Sequence, residues 1–244
     1  MIKRLLDILA SLFGLIVFSP VLLLVIILIW SQDRHSPFYI APRVGKNSKL
    51  FSMVKLRSMI VNADKSGVDS TGANDVRITP IGHFIRRYKL DEVVQLWNVL
   101  IGDMSLVGPR PNVKSETDLY TDEELKLLSV KPGITDFASI VFSDEGDILK
   151  DEADPDLAYN QLIRPWKSRL GLVYIDRRSL FIDVQIIFYT LVSIVSKSTA
   201  LHWVTKQLSV IETDEQLVKV SSRAEALFPY PPPGSDSVIG AGLK

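Results

Sequence analysis

The chain has 244 residues, enough for one large domain or two small ones, and its 28 basic and 28 acidic side chains cancel to a net charge of zero. That balance removes the global electrostatic case for nucleic-acid binding, so any basic surface has to be local. Cysteine is absent and histidine numbers three, which excludes a disulfide framework and cysteine nucleophiles and argues against Cys- or His-rich metal centres.

From Ile8 to Trp30 no residue is charged. At about 1.5 Å per helical residue the run is long enough to cross a hydrocarbon layer of roughly 30 Å. A secretory signal peptide is a poor match, because the run is too long and no small-x-small site ends it. Ser19-Pro20 interrupts the stretch: proline removes a backbone donor and crowds the preceding turn, while serine satisfies a freed carbonyl, a combination that kinks a helix. Lys3 and Arg4 precede the run and Arg34, Arg43 and Lys46 follow it, so the flanking charge suits both ends in the cytoplasm. A kinked span and a re-entrant helix that dips in and returns both stay open on these grounds.

Next, PFYIAPRVGKNSKLFSMVKLRSM alternates apolar and polar residues about Gly45–Lys49, which predicts a β-hairpin. Lys55 and Arg57, two apart, share one strand face; they are either phosphate or headgroup ligands or a solvated edge. Asp64 to Asp75 reads as a polar, Gly-containing loop. Thr79-Pro80 predicts an N-cap with proline in the first turn of a helix.

The richest stretch is Arg77 to Pro111. Asp91 and Glu92 lie between Arg86, Arg87 and Lys89 upstream and a stiff Gly108-Pro109-Arg110-Pro111 loop downstream. Acid beside arginine points to phosphate handled with a divalent metal, since Mg²⁺ takes hard carboxylate oxygens and the guanidinium fork fits phosphate. Two adjacent acids on a helix also make an ordinary solvated face. One continuous helix here would put Arg87, not Arg86, on the Asp91 face by the i,i+4 rule.

Thr121-Asp122-Glu123-Glu124 reads as a capping box. The acidic stretch Ser143 to Asp156, without ligand spacing, reads as a solvated loop. Leu157 to Val195 reads as helix, and its apolar part, Val184 to Val195, is too short to span and belongs to the core or the membrane interface. From about Ser221 the Pro-Tyr-Pro-Pro-Pro-Gly tail has a disordered composition.

Three of these segments, RVGKNSKLFSMVKLRSM, FIRRYKLDEVVQLWNVLIGDMSLVGPRP and KPGIT, resemble in order the motifs of the bacterial sugar transferase family, the monotopic phosphoglycosyl transferases. The resemblance runs from about Lys3 to about Lys197. It departs at Asp136-Phe137-Ala138-Ser139, where the family commonly has a small residue, Trp, Ala and Gln, and at Tyr88-Lys89, where the family often has a Ser or Thr cap.

The resemblance implies an α+β, mostly helical fold: a re-entrant membrane helix over 1–36, a cytoplasmic catalytic domain with a small hairpin and interfacial helices over 37–200, and a C-terminal extension over 201–244. It implies a bacterial inner-membrane enzyme with its catalytic domain facing the cytoplasm. The reaction expected is transfer of a sugar-1-phosphate from a UDP-sugar to polyprenyl (undecaprenyl) phosphate with release of UMP, the first step of lipid-linked glycan assembly. The implied nucleophile is Asp91, which is also expected to hold Mg²⁺, with Glu92 assisting; Lys55, Arg86 and Arg110 match basic positions of the family, and Arg57 joins them as a phosphate-binding candidate. Ser19 and Pro20 mark the membrane break. No nucleic-acid partner is expected, and a homo-oligomer is compatible with the sequence. The competing readings are an inactive membrane-anchored scaffold and a nucleotide-sugar hydrolase.

Overall fold

A computed structural model describes residues 2–63, 75–212 and 214–240. All of the Asp64 to Asp75 loop except Asp75 lies outside the described residues. In chain order come helix α1 (Ile2–Asp33), strands β1 (Phe38–Val44) and β2 (Leu50–Leu56), helices α2 (Pro80–Arg87), α3 (Leu90–Val93) and α4 (Leu96–Ile101), strand β3 (Ser105–Val107), helix α5 (Lys114–Thr117), a 3₁₀ helix (Glu124–Ser129), strand β4 (Gly133–Thr135), and helices α6 (Phe137–Val141), α7 (Glu145–Ile148), α8 (Pro155–Ala158), α9 (Arg164–Arg177), α10 (Leu180–Val195), α11 (Lys197–Ile211) and α12 (Glu215–Ser221). The fold is α+β and mostly helical, as the sequence leads one to expect.

Helix α1 is the one described helix long and apolar enough to cross a membrane. It lies against the rest of the chain at both ends. Near its start, Lys3 Nζ donates to Asp183 Oδ2 at 2.6 Å, Arg4 donates to the carbonyls of Val99 and Leu100 that end α4, and buried Asp7 accepts from Ser105 Oγ and the Leu106 N–H. Near its finish, Leu22, Val25 and Ile29 pack with Leu56, Ile85, Leu90 and Val94. Between them residues 16–21 stand exposed. Pro20 cannot donate to the Ile16 carbonyl one turn back; Ser19 Oγ does so instead, at 2.7 Å.

Strands β1 and β2 pair antiparallel, Val44 opposite Leu50, around a turn closed by the Gly45 N–H on the Lys49 carbonyl. Asn98 of α4 grips this hairpin: its Oδ1 accepts from the Val54 N–H at 3.0 Å and its Nδ2 donates to the Ser52 carbonyl at 2.7 Å. The interaction satisfies backbone groups of β2 on the side away from β1.

The main core gathers around Phe137, Ile140, Ile163, Trp166, Leu170 and Tyr174, with Ile186 brought in from α10, Val204 and Leu208 from α11 and Leu217 from α12. The expected capping box forms, Thr121 N–H to Glu124 Oε2 and Glu124 N–H to Thr121 Oγ1, each 3.1 Å, but it opens a 3₁₀ helix. Leu157 to Val195 is not one helix. A π turn at Tyr159–Ile163 and a break at Arg178-Ser179, where Ser179 caps α10 through the Ile182 N–H, divide it. Helix α10 buries Ile182, Asp183 and Ile186 while Phe181, Val184, Phe188, Leu191 and Ile194 remain exposed, so it serves core and surface together.

The tail differs from the disorder its composition predicts. Tyr230 stacks on Trp166 with ring centroids 4.3 Å apart, Arg169 donates to the Pro231 carbonyl, and Thr121 Oγ1 donates to the Pro233 carbonyl. A proline-rich strand has no internal hydrogen bonds, so its carbonyls are available to such donors, and two aromatics suffice to seat it.

Candidate active site

Thr79 caps α2 through the Gly82 N–H at 3.0 Å, and α2 ends at Arg87. Lys89 then takes φ +51°, a left-handed turn that breaks the helix before α3. Leu90 and Val94, four apart, face α1 and join its apolar seam, so α1 itself seats the short helix carrying Asp91 and Glu92. Because of the break, the i,i+4 rule does not relate Arg87 to Asp91. Arg86 and Asp91 interact electrostatically across the cleft, with Arg86 Nε donating to Ser58 Oγ at 3.0 Å, while the Arg87 guanidinium lies over the Tyr88 ring.

The second arm of the site is the Gly108-Pro109-Arg110-Pro111 loop. Strands β3 and β4 run parallel, and Gly108, just after β3, touches Gly133, the first residue of β4, backbone to backbone: a Cβ on Gly133 would sit 2.1 Å from the Gly108 nitrogen. The close approach, held by Gly108 N–H to the Thr135 carbonyl and Gly133 N–H to the Pro109 carbonyl, requires glycine at both positions and presents Arg110 to the dyad. Arg110 Nη1 donates to Glu92 Oε1 at 2.8 Å.

Asp91, Glu92, Lys55, Arg86 and Arg110 thus line one open cleft of about 760 Å³. Among the described residues the Asp91 carboxylate accepts no hydrogen bond and forms no ion pair. Desolvation in the cleft raises its pKa, with Lys55 opposing and Glu92 reinforcing the rise. Desolvation pushes Glu92 up as well, but Arg110, Lys55 and Lys89 outweigh it and hold Glu92 at about 2. Lys55 is shifted down, first by desolvation and then by Arg110. The dyad is therefore unequal: one acid is tied to arginine and the other is left for a ligand.

Arg57 takes a different place from the one its spacing suggested. It follows the end of β2, and all three guanidinium nitrogens are engaged: Nη1 and Nη2 donate to Asp33 at 2.5 and 2.7 Å and Nε to the Ser36 carbonyl at 2.8 Å. It clamps the end of α1 to the domain from the rim of the same cleft, where Lys55 also stands.

The opposite wall was not legible as a site. Ser139, Phe142, Asp144, Glu145, Tyr159 and Lys167 line it, with Glu145 and Lys167 ion-paired. The acidic stretch read as a solvated loop supplies α7 to this wall. The donor set suits Mg²⁺ in its chemistry, since Asp91 offers unpaired hard oxygens beside cations for phosphate. Among the described residues no group of three or more acidic, His or Cys side chains gathers into a metal cage.

The profile described as bacterial sugar transferase matches residues 1–197. The chain belongs to the bacterial sugar transferase family. It is 33% identical over 201 residues to the UDP-N-acetylgalactosamine-undecaprenyl-phosphate N-acetylgalactosaminephosphotransferase of Aeromonas hydrophila, covering 80% of this chain and 44% of that protein. To the undecaprenyl-phosphate glucose phosphotransferase of Komagataeibacter xylinus it is 36% identical over 196 residues, 78% of this chain and 35% of the relative. To the exopolysaccharide production protein ExoY of Rhizobium meliloti it is 32% identical over 206 residues, 78% of this chain and 84% of the relative. This bacterial sugar transferase thus spans less than half the length of the first two and most of the third. Its helices α11, beyond Lys197, and α12 lie past the matched region.

Proposed function

We propose that the chain transfers a sugar-1-phosphate from a UDP-sugar to polyprenyl (undecaprenyl) phosphate and releases UMP. The observation that carries this reading is the Asp91 carboxylate, without a hydrogen bond or ion pair among the described residues, in a cleft with Lys55, Arg86 and Arg110. The names of the relatives, with undecaprenyl phosphate as acceptor, agree with it.

An Asp91 oxygen attacks the phosphorus that bears the sugar, the bond from that phosphorus to the UMP oxygen breaks, and UMP leaves with the electron pair. Lys55, Arg86 and Arg110 hold the phosphate oxygens and offset their charge. An oxygen of polyprenyl phosphate then attacks the same phosphorus, the aspartyl phosphate bond breaks, and the Asp91 carboxylate is restored. No general base is required for that step, because a phosphate monoester with a second pKa of about 6 is largely dianionic at neutral pH. Glu92 keeps Arg110 aimed at the cleft. Mg²⁺, when bound at Asp91, supplies charge neutralisation on the diphosphate.

The same reading makes α1, within residues 1–36, a re-entrant helix that sets the catalytic domain, 37–200, at headgroup height on the cytoplasmic face of the inner membrane. A spanning helix separates its two ends by the full bilayer. What supports re-entry is that Lys3, Arg4 and Asp7 at one end and Val25, Ile29 and Asp33 at the other contact the same body, with residues 16–21 the longest exposed run between them.

The test is a panel of UDP-sugars with polyprenyl phosphate and Mg²⁺, following UMP and lipid-linked sugar together. One donor giving both in equal amounts is the expected result. UMP without lipid product identifies a hydrolase, and no turnover by folded protein with any donor identifies a scaffold.

A further inference from the structure

Asp144, just before α7, is held from two sides. Lys197 Nζ lies 2.6 Å from its Oδ2 and Arg223 Nη2 lies 3.4 Å from the same oxygen. The Arg223 guanidinium also sits over the Phe142 ring, its Cζ 5.5 Å from the centroid. Phe142, Asp144 and Glu145 all line the cleft facing the dyad. Lys197 is the last residue of the matched family region, whereas Arg223 belongs to the extension beyond it.

That extension is a firm base. Ala200, Val204 and Leu208 of α11 and Leu217 of α12 are buried in the main core. Arg223 follows α12 with φ +55°, a conformation L-residues seldom adopt, and this turn sends its side chain back to the cleft wall. Its side chain is only 14% exposed.

Glu145 follows Asp144 directly. It pairs with Lys167, yet it also acts electrostatically on Arg110 and Lys55, the cations assigned to the donor's phosphates. If α7 shifted towards those cations, Glu145 would compete with phosphate for them. Pinning Asp144 keeps Glu145 on Lys167 and leaves Arg110 and Lys55 for a diphosphate.

We propose that Arg223 is a positioning residue: through Asp144 and Phe142, the C-terminal extension sets the cleft wall against which the nucleoside diphosphate part of the donor binds. This rests on the reading of the cleft as the donor site.

The experiment measures the affinity of the full-length protein for UDP with Mg²⁺, which needs no knowledge of the sugar. Arg223→Ala is expected to weaken UDP binding roughly five- to tenfold, Asp144→Asn to do the same, and the double variant to be no worse than the poorer single, the signature of two residues acting through one contact. Arg223→Lys, which keeps the charge, is expected to recover most of the affinity. In turnover the loss is expected in KM for the donor, with kcat within about twofold of wild type. An Arg223→Ala affinity within about twofold of wild type, or losses that multiply in the double variant, overturns the assignment. Arg110→Ala serves as the reference: if it binds UDP as well as wild type does, the donor-site reading itself falls and this inference with it.

Discussion

Arg110 Nη1 donates to Glu92 Oε1 at 2.8 Å across 18 residues of chain, and this one contact separates the roles of two adjacent acids. Glu92 is occupied. Asp91 keeps its oxygens for the cleft.

The first prediction follows from that inequality. Asp91→Asn keeps the size of the side chain and removes the attacking charge, so turnover is expected to fall by several orders of magnitude while the melting temperature holds within a few degrees. Loss of rate alone fits a metal ligand equally well. Intact mass of wild type mixed with the correct UDP-sugar and Mg²⁺, without lipid, is therefore the deciding measurement: a sugar phosphate on the Asp91 peptide is expected. An active enzyme that never shows the adduct, with kinetics requiring both substrates bound at once, would replace the covalent route by direct transfer.

Removing the arginine of the pair exposes its pH dependence. Glu92 is held at about 2, below its ordinary 4.5, so the stabilisation it gains in the folded state is fully present above about pH 4.5 and is lost as pH falls towards 2. Arg110→Ala removes the largest of the charges that hold it down. The melting-temperature gap between wild type and Arg110→Ala should be widest near pH 7 and narrow below about pH 4.5. A gap independent of pH from 7 to 2.5 would show that the pair contributes nothing through Glu92 ionisation.

Arg57→Ala tests a clamp against a phosphate ligand. Its bidentate contact with Asp33 is a charge-assisted pair with Arg57 little exposed, and its loss is expected to lower the melting temperature, by less than loss of a fully buried pair would because Asp33 reaches solvent. The kcat at low temperature, where the variant stays folded, is expected to remain within about threefold. A hundredfold loss of kcat with an unchanged melting temperature would return Arg57 to the phosphate site.

For α1, the absence of native cysteine makes a clean topology experiment available. Single cysteines at Lys3 and at Ser36 are expected to resist a membrane-impermeant thiol reagent in intact cells and to react after lysis. Labelling of the Lys3 site alone in intact cells would mean that the helix crosses. Pro20→Ala, which restores the Ile16 carbonyl's backbone donor, is expected to favour a straighter helix and lower activity by lifting the domain away from its acceptor.

Sequence and structure divide the explanation according to the range of the interactions involved. The uncharged run from Ile8 to Trp30, the hairpin turn at Gly45–Lys49, the Thr79 cap and the Thr121–Glu124 capping box were readable because each depends on residues within a few positions of one another; α1, by contrast, runs as one helix from Ile2 to Asp33 through Pro20. The dyad and the Gly108-Pro109-Arg110-Pro111 loop were readable as motifs by resemblance. Their inequality was not, because it depends on which acid a guanidinium 18 residues away reaches. Arg57 and Lys55 share a spacing, yet Asp33, 24 positions upstream, takes one and leaves the other. Arg86 faces Asp91 only because Lys89 breaks the helix in a left-handed turn, where no glycine announces it. Composition made 143–156 a solvated loop and 221–244 a disordered tail; tertiary contacts made α7 a cleft wall and seated Tyr230 on Trp166. Local pattern records the backbone preferences of neighbouring residues, whereas partners that meet across long separations are chosen by the packed shape, and only that shape decides which charge is left unpaired for a substrate.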